Sequence, residues 1–149
     1  NFPRHNLMKG MGQIVTWSIR DETLHVEGMT NLFREFIREN PTLWDDKLKY
    51  EIYCAAERVV DLEDAFIDTC FKDADIPDLT ADEVKQYIRY IADRRLLGLG
   101  LKGIFHSTEN PLGWLDYMLN GVEHTNFFEN RATEYARGST NGNWKDIFK

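Results

Sequence analysis

The chain has 149 residues and a mass of 17.5 kDa; 42% of its residues are hydrophobic and 13% aromatic. That is the length of one compact domain with apolar material for a core, which excludes wholesale disorder. Eighteen Lys and Arg face 25 Asp and Glu, a net charge of −7, so nucleic acid binding through a basic face is excluded as well.

No apolar run approaches the ~20 residues of a membrane span, and no signal segment opens the chain. Cys54 and Cys70 are too few for a disulfide framework and point to a reducing, cytoplasmic setting. From Met11 to about Arg38 no Pro interrupts a helical recurrence of apolar residues. Asn40-Pro41 ends that run, because the residue before Pro disfavours the helical region. Thr42, with Asp45 three residues on, reads as an N-cap, so a second helix is expected from about Leu43 to Phe71. Its apolar stripe is Leu48, Ile52, Ala55, Val59, Leu62, Phe66 and Cys70, a face expected to be core, with Cys54 and Cys70 as small core residues. Residues 73–79, with Pro77, read as a loop. Thr80 and Glu83 form a capping box for a third helix, which carries Val84, Tyr87, Ile88, Ile91 and Leu99 and stops near Gly98 and Gly100. Asn110-Pro111 then breaks the chain ahead of a short helix around Trp114. A last helical stretch is expected at about 125–136. Residues 138–143 have linker composition and lead to Trp144 and Phe148. Alternation never persists, so the fold class is all-α.

Stepping by three and four along the first helix gives Met11, Val15, Ser18, Glu22, His25, Met29, Leu32 and Phe36. Glu22 and His25 fall in the middle of a face that the apolar pattern marks for burial. An unpartnered buried carboxylate costs several kcal/mol. Spacing i, i+3 lets both side chains converge on one point, and Glu-x-x-His is the ligand spacing of carboxylate-bridged di-metal sites in helical bundles. Asp21, beside Glu22, suits a carboxylate that orients a ligating imidazole. A hydrogen-bonded Glu–His pair, or a helix turned so that the pair meets solvent, satisfies the same pattern without a metal.

The strings Met11-Gly12-Gln13-Ile14 and Arg20-Asp21-Glu22-Thr23-Leu24-His25 resemble the small, radical-generating subunit of class I ribonucleotide reductase. Three further stretches agree in order: residues 86–96, Glu109-Asn110-Pro111, and residues 125–135 with Glu134-Tyr135. The resemblance spans essentially the whole chain. It implies a ferritin-like helical bundle holding two metal ions, usually iron, with manganese or mixed pairs in some subclasses. It implies that the bundle generates an oxidising equivalent with oxygen and passes it to a large catalytic subunit, where ribonucleotides are reduced to deoxyribonucleotides. Carried over by position, Glu22 and His25 match metal ligands. Asp21 matches an acid that links a metal-bound imidazole into the radical-transfer chain, and Arg20 its neighbouring arginine. Tyr135 matches a tail tyrosine that relays the radical between subunits. Trp144 and Phe148 resemble aromatic anchors of a tail that docks on the large subunit. The tail closes on Lys149 rather than an aromatic, which departs from the pattern.

A complete site of this family draws ligands from four helices, and only Glu22 and His25 match here. The chain is therefore expected to be the C-terminal half of a small subunit, residues 1–137 forming its share of the bundle and 138–149 the tail. The expected partners are the N-terminal half with the remaining ligands, a second small subunit and the large subunit, with no nucleic acid and no membrane. Asn1 in place of an initiator Met reads as the mark of a split gene, splicing or cleavage. Two other functions fit parts of the pattern: a ferritin-like di-iron oxidase without a reductase role, and a non-catalytic helical interaction module.

Overall fold

The computed structural model describes residues 1–73 and 75–116, and among them every regular element is helical. No described helix is long and apolar enough to cross a membrane.

The chain opens with a 3-10 turn, Phe2–His5, closed by Asn6 in the left-handed conformation, φ 60°. This turn folds back on the first turn of helix α1, Lys9–Glu39. Contact there is so close that a Cβ on Gly12 would sit 2.2 Å from Pro3 Cγ, so the approach depends on a glycine. Helix α1 ends where expected, as Asn40 returns both its N–H and its side-chain Nδ2 to the Phe36 carbonyl, each at 3.0 Å.

The start of the second helix differs from the expectation. Pro41–Leu43 form a 3-10 turn, so Thr42 lies outside the helix and Asp45 is the cap. The Asp45 carboxylate accepts the Leu48 N–H at 2.8 Å, and helix α2 runs Asp46–Phe71. Across this corner Phe33 and Trp44 meet edge to face at 5.8 Å. Helix α3, Ala81–Gly98, begins with the expected capping box: the Glu83 N–H donates to Thr80 Oγ1 at 3.2 Å, and Glu83 Oε2 accepts the Thr80 N–H at 2.8 Å.

Helices α2 and α3 pack along one another around Val60, Ile67 and Leu96, all buried. Arg89 of α3 clamps Asp64 of α2 with two bonds, Nη1 to Oδ1 at 3.0 Å and Nη2 to Oδ2 at 2.6 Å. Lys85 and Asp68 form a second bridge one turn away. This corrects the reading of α2's stripe. The face against α3 carries Val60, Asp64 and Ile67, whereas Val59, Leu62 and Phe66 are exposed at 55, 60 and 64%. Cys70 is exposed and Cys54 half-buried, so neither is a core residue of this chain. At 100° per residue the two faces lie about a third of a turn apart. Periodicity located an apolar face but not the neighbour α3 selects.

Beyond α3 the chain is held by one buried carboxylate. Asp93, 5% exposed, accepts N–H groups from Ile104 at 2.7 Å, Phe105 at 2.9 Å and Ser107 at 3.0 Å. Gly103 passes so close that a Cβ there would lie 2.7 Å from Asp93 Cγ. Leu101 and Leu112 are buried beside this loop, and Tyr53 of α2 accepts the Lys102 N–H at 3.1 Å.

Candidate metal centre

One helix positions the whole candidate site. Asp21, Glu22 and His25 occupy consecutive turns of α1, and one donor atom from each lies within 4.8 Å of the other two. His25 Nδ1 stands 3.7 Å from Glu22 Oε2, and His25 Nε2 stands 3.9 Å from Asp21 Oδ2. Both separations exceed a hydrogen bond, so the three groups converge without bonding one another directly. The donor set, two carboxylates and an imidazole, fits a divalent cation that takes oxygen and nitrogen ligands. It is a partial set: three side chains from one helix leave the rest of a coordination sphere to be filled from elsewhere.

These side chains are 63–71% exposed. The expectation that Glu22 and His25 lie in a buried face is therefore not met within this chain. Met11, Val15, Met29, Leu32 and Phe36 lie along the same face and are exposed, as are Ile14, Trp17 and Leu24 beside it. The convergent cluster thus sits in the middle of a long exposed apolar stripe. The opposite side of α1 is the anchored one, where the Arg34 Nε donates to the Gly98 carbonyl of α3 at 2.7 Å.

Arg20 precedes the cluster on α1, its side chain outside the described set. Tyr135, Trp144 and Phe148 also lie outside the described residues. Asp93 is the residue that the sequence reading passed over as a member of a longer string. A lone acid three residues before the buried Leu96, followed by the glycines at 98, 100 and 103, was the available signal.

Comparison with known proteins places this geometry in context. Residues 1–111 match the family model "Ribonucleotide reductase, small chain". The chain is 48% identical over 145 residues to the "Probable ribonucleoside-diphosphate reductase small subunit 048L" of Invertebrate iridescent virus 3, an alignment covering 97% of this chain and 39% of that protein. It is 38% identical over 135 residues to the "Ribonucleoside-diphosphate reductase subunit beta" of Chlamydia pneumoniae, covering 91% and 38% of the two. A crystal structure described as a class I ribonucleotide reductase from Bacillus halodurans superposes with a TM-score of 0.74 at 28% identity, over 78% of this chain and 41% of that one. The "Ribonucleotide reductase R2 subunit from Clostridium botulinum" superposes at 0.73 and 24% identity, over 77% and 36%, a likeness of fold. The fold is thus the ferritin-like helical fold of these proteins, and the chain spans about two fifths of the length of the relatives it matches. The chain belongs to the ribonucleotide reductase small-chain family.

Proposed function

We propose that this chain supplies the C-terminal part of a di-metal, radical-generating small subunit of ribonucleoside-diphosphate reductase. The observation that carries the proposal is the convergence of Asp21, Glu22 and His25 in the middle of the open apolar stripe of α1, inside the segment matching the family. In this reading Glu22 and His25 ligate metal, and the remaining ligands come from the N-terminal part of the family's chain, whose helices cover the stripe. Bound metals, iron or manganese or one of each, supply the redox chemistry that activates oxygen. The chain's own contribution is to hold and shield them. Covering the α1 stripe excludes water from the cluster, which strengthens every electrostatic contact within it.

Asp21 orients a ligating imidazole by accepting its ring N–H, and with Arg20 and Tyr135 it lies on the route of the oxidising equivalent toward the large subunit. Tyrosine suits such a relay because its phenol gives up a proton and an electron together. Residues 1–137 act as bundle and residues 138–149 as a tail that docks on the large subunit through Trp144 and Phe148. A second small subunit completes the assembly, which works in the cytoplasm on ribonucleotides.

The test is metal content of the complex between this chain and a polypeptide bearing the remaining ligands. The expected result is bound metal that Glu22→Ala abolishes. Metal held at a hundredfold excess over its Kd raises unfolding free energy by about 2.7 kcal/mol. Glu22→Ala removes that gain, while in the chain by itself, where Glu22 is exposed, it changes stability by no more than about 0.5 kcal/mol. Metal content unchanged by Glu22→Ala overturns the reading. Removing residues 138–149 is expected to abolish ribonucleotide reduction with the large subunit; activity left intact by that removal would argue for the oxidase alternative.

A further inference from the structure

The opening turn and the loop between α2 and α3 meet through two side chains. Asn1 Nδ2 donates to the Pro77 carbonyl at 2.6 Å, and His5 Nε2 stands 3.7 Å from Asp78 Oδ2. The first contact is a finished hydrogen bond and the second is not. His5 Nε2 is shut off from solvent without a hydrogen-bond partner, and 3.7 Å is too long for a hydrogen bond to Asp78. A buried nitrogen left unpaired costs stability.

The backbone on both sides of this contact is strained. Four non-glycine residues among those described have φ in the left-handed region, and three of them are Asn6, Met8 and Asp78. Asn and Asp visit that region at little cost, whereas Met does not. Such conformations persist where neighbouring contacts over-determine them. Pro3 against Gly12 and Asn1 on Pro77 supply part of that hold. His5 is placed to supply more, in one of its protonation states. A neutral imidazole carries a single N–H, and whichever nitrogen has it, Nε2 finds no hydrogen-bond partner here. A protonated ring carries N–H on both nitrogens and a full charge, which at 3.7 Å attracts the Asp78 carboxylate.

The surrounding charges leave Asp78 as the acid that answers His5. Within the turn the cations are Arg4, which donates to Asn1 Oδ1 at 3.2 Å, and the α-amino group of Asn1, whose pKa is lowered by burial and then by Arg4. The first turn of α1 brings Lys9. The loop brings Asp78, with Asp75 and Glu83 lining a recess beside it. The His5 side chain is 26% exposed and that of Asp78 75%, so solvent screens the pair and the effect is modest.

We propose that His5 and Asp78 form a proton-operated latch, closed when the imidazole is protonated and slack when it is neutral, that fastens the Phe2–His5 turn and the start of α1 to the α2–α3 loop. The latch uses neither Glu22 nor His25 and stands whether or not α1 binds metal.

Amide hydrogen exchange of the full chain tests it, read by NMR as protection factors corrected for intrinsic exchange at each pH. The Asn6 N–H, bonded to the Pro3 carbonyl, and the Leu7 N–H, bonded to the Phe2 carbonyl, each at 3.0 Å, report the turn. Protection there is expected to fall about fourfold between about pH 5.5, where an imidazole is largely protonated, and about pH 8, where it is neutral. His5→Gln and Asp78→Asn are each expected to abolish that fall, and the double variant to behave as either single one. Asn accepts the left-handed backbone at position 78, so Asp78→Asn removes the charge and leaves the loop in place. The α-amino group of Asn1 titrates alike in all four proteins, which separates its effect from that of His5. Absence of the fall in the parent, or its persistence in either single variant, overturns the proposal.

Discussion

Helix α1 and the α2–α3 pair are built on opposite terms. The pair closes one seam: it buries Val60, Ile67 and Leu96, crosses its interface with the Asp64–Arg89 clamp, and ties its outgoing loop to Asp93. Helix α1 reaches the rest of the chain through one flank and shows solvent Met11, Met29, Leu32 and Phe36, with the ligand cluster among them. Among the described residues the α2–α3 seam is closed, although the other face of α2 at Val59, Leu62 and Phe66 stays open, whereas the ligand-bearing face of α1 is exposed along its length. A ligand set shared among several helices cannot be finished by one of them. Exposure of the cluster and exposure of the stripe are thus one fact: under the proposed function, the helix with the candidate ligands is the one that other parts of the assembly would bury.

The largest test of the closed region is Asp93. Replacing it with Ala leaves three backbone N–H groups around a space its carboxylate filled. An unsatisfied buried donor costs about 1–3 kcal/mol. With partial access of water to the loop, the expected loss is about 3 kcal/mol in total, read as a fall in the urea midpoint together with faster amide exchange at 104–107. Asp93→Asn keeps one acceptor oxygen and is expected to fall between. A midpoint for Asp93→Ala within about 0.5 kcal/mol of the parent, the range of neutral surface changes, would show that the loop stands without its anchor.

The open faces make the contrary prediction. Met29→Asp on α1 and Leu62→Asp on α2 change residues already 65 and 60% exposed. The chain by itself is expected to tolerate each within about 0.5 kcal/mol. In the assembled small subunit each places a charge in a covered apolar face and is expected to weaken association by about 2 kcal/mol. Dissociation constants from sedimentation measure this directly. Equal effects on the chain and on the assembly would erase the distinction between the two regions.

How far the sequence carried this architecture depends on where each signal resides. The convergence of Asp21, Glu22 and His25 was legible because it is a property of one helix, fixed by spacing alone. So was the Thr80–Glu83 box, a four-residue signature. The cap of α2 was misplaced by three residues, because Thr42 and Asp45 are both good caps and only the 3-10 turn after Pro41 decides between them. The apolar stripe of α2 was visible, but not its fate. Val60 and Ile67 turn to α3 while Val59, Leu62 and Phe66 do not, and that choice is made by a partner helix remote in sequence. Asp93 was not legible as an anchor, since its partners are backbone groups 11–14 residues on, which leave no side-chain pattern.

The smallest effect concerns the clamp that fixes this choice of face. The hydrogen bonds from Arg89 hold the Asp64 carboxyl below its ordinary range, against the opposing effect of burial and with help from the charges of Arg89 and Lys85. A carboxylate with a depressed folded-state pKa stabilises the fold above its unfolded value, about pH 3.9, and loses that contribution as pH falls through the lower folded value. Asp64 is 22% and Arg89 34% exposed, so solvent screening holds the contribution to about 1 kcal/mol or less. Asp64→Asn is thus expected to be slightly less stable than the parent at neutral pH, with a gap that closes below about pH 4. Because the pair crosses the α2–α3 interface, the gap is also expected to survive 0.5 M salt better than that of the more exposed Arg38–Glu35 pair on α1. A gap between Asp64→Asn and the parent that stays constant from pH 7 into acid would mean that the clamp acts through shape alone, and that its charge does nothing to choose which face of α2 is closed.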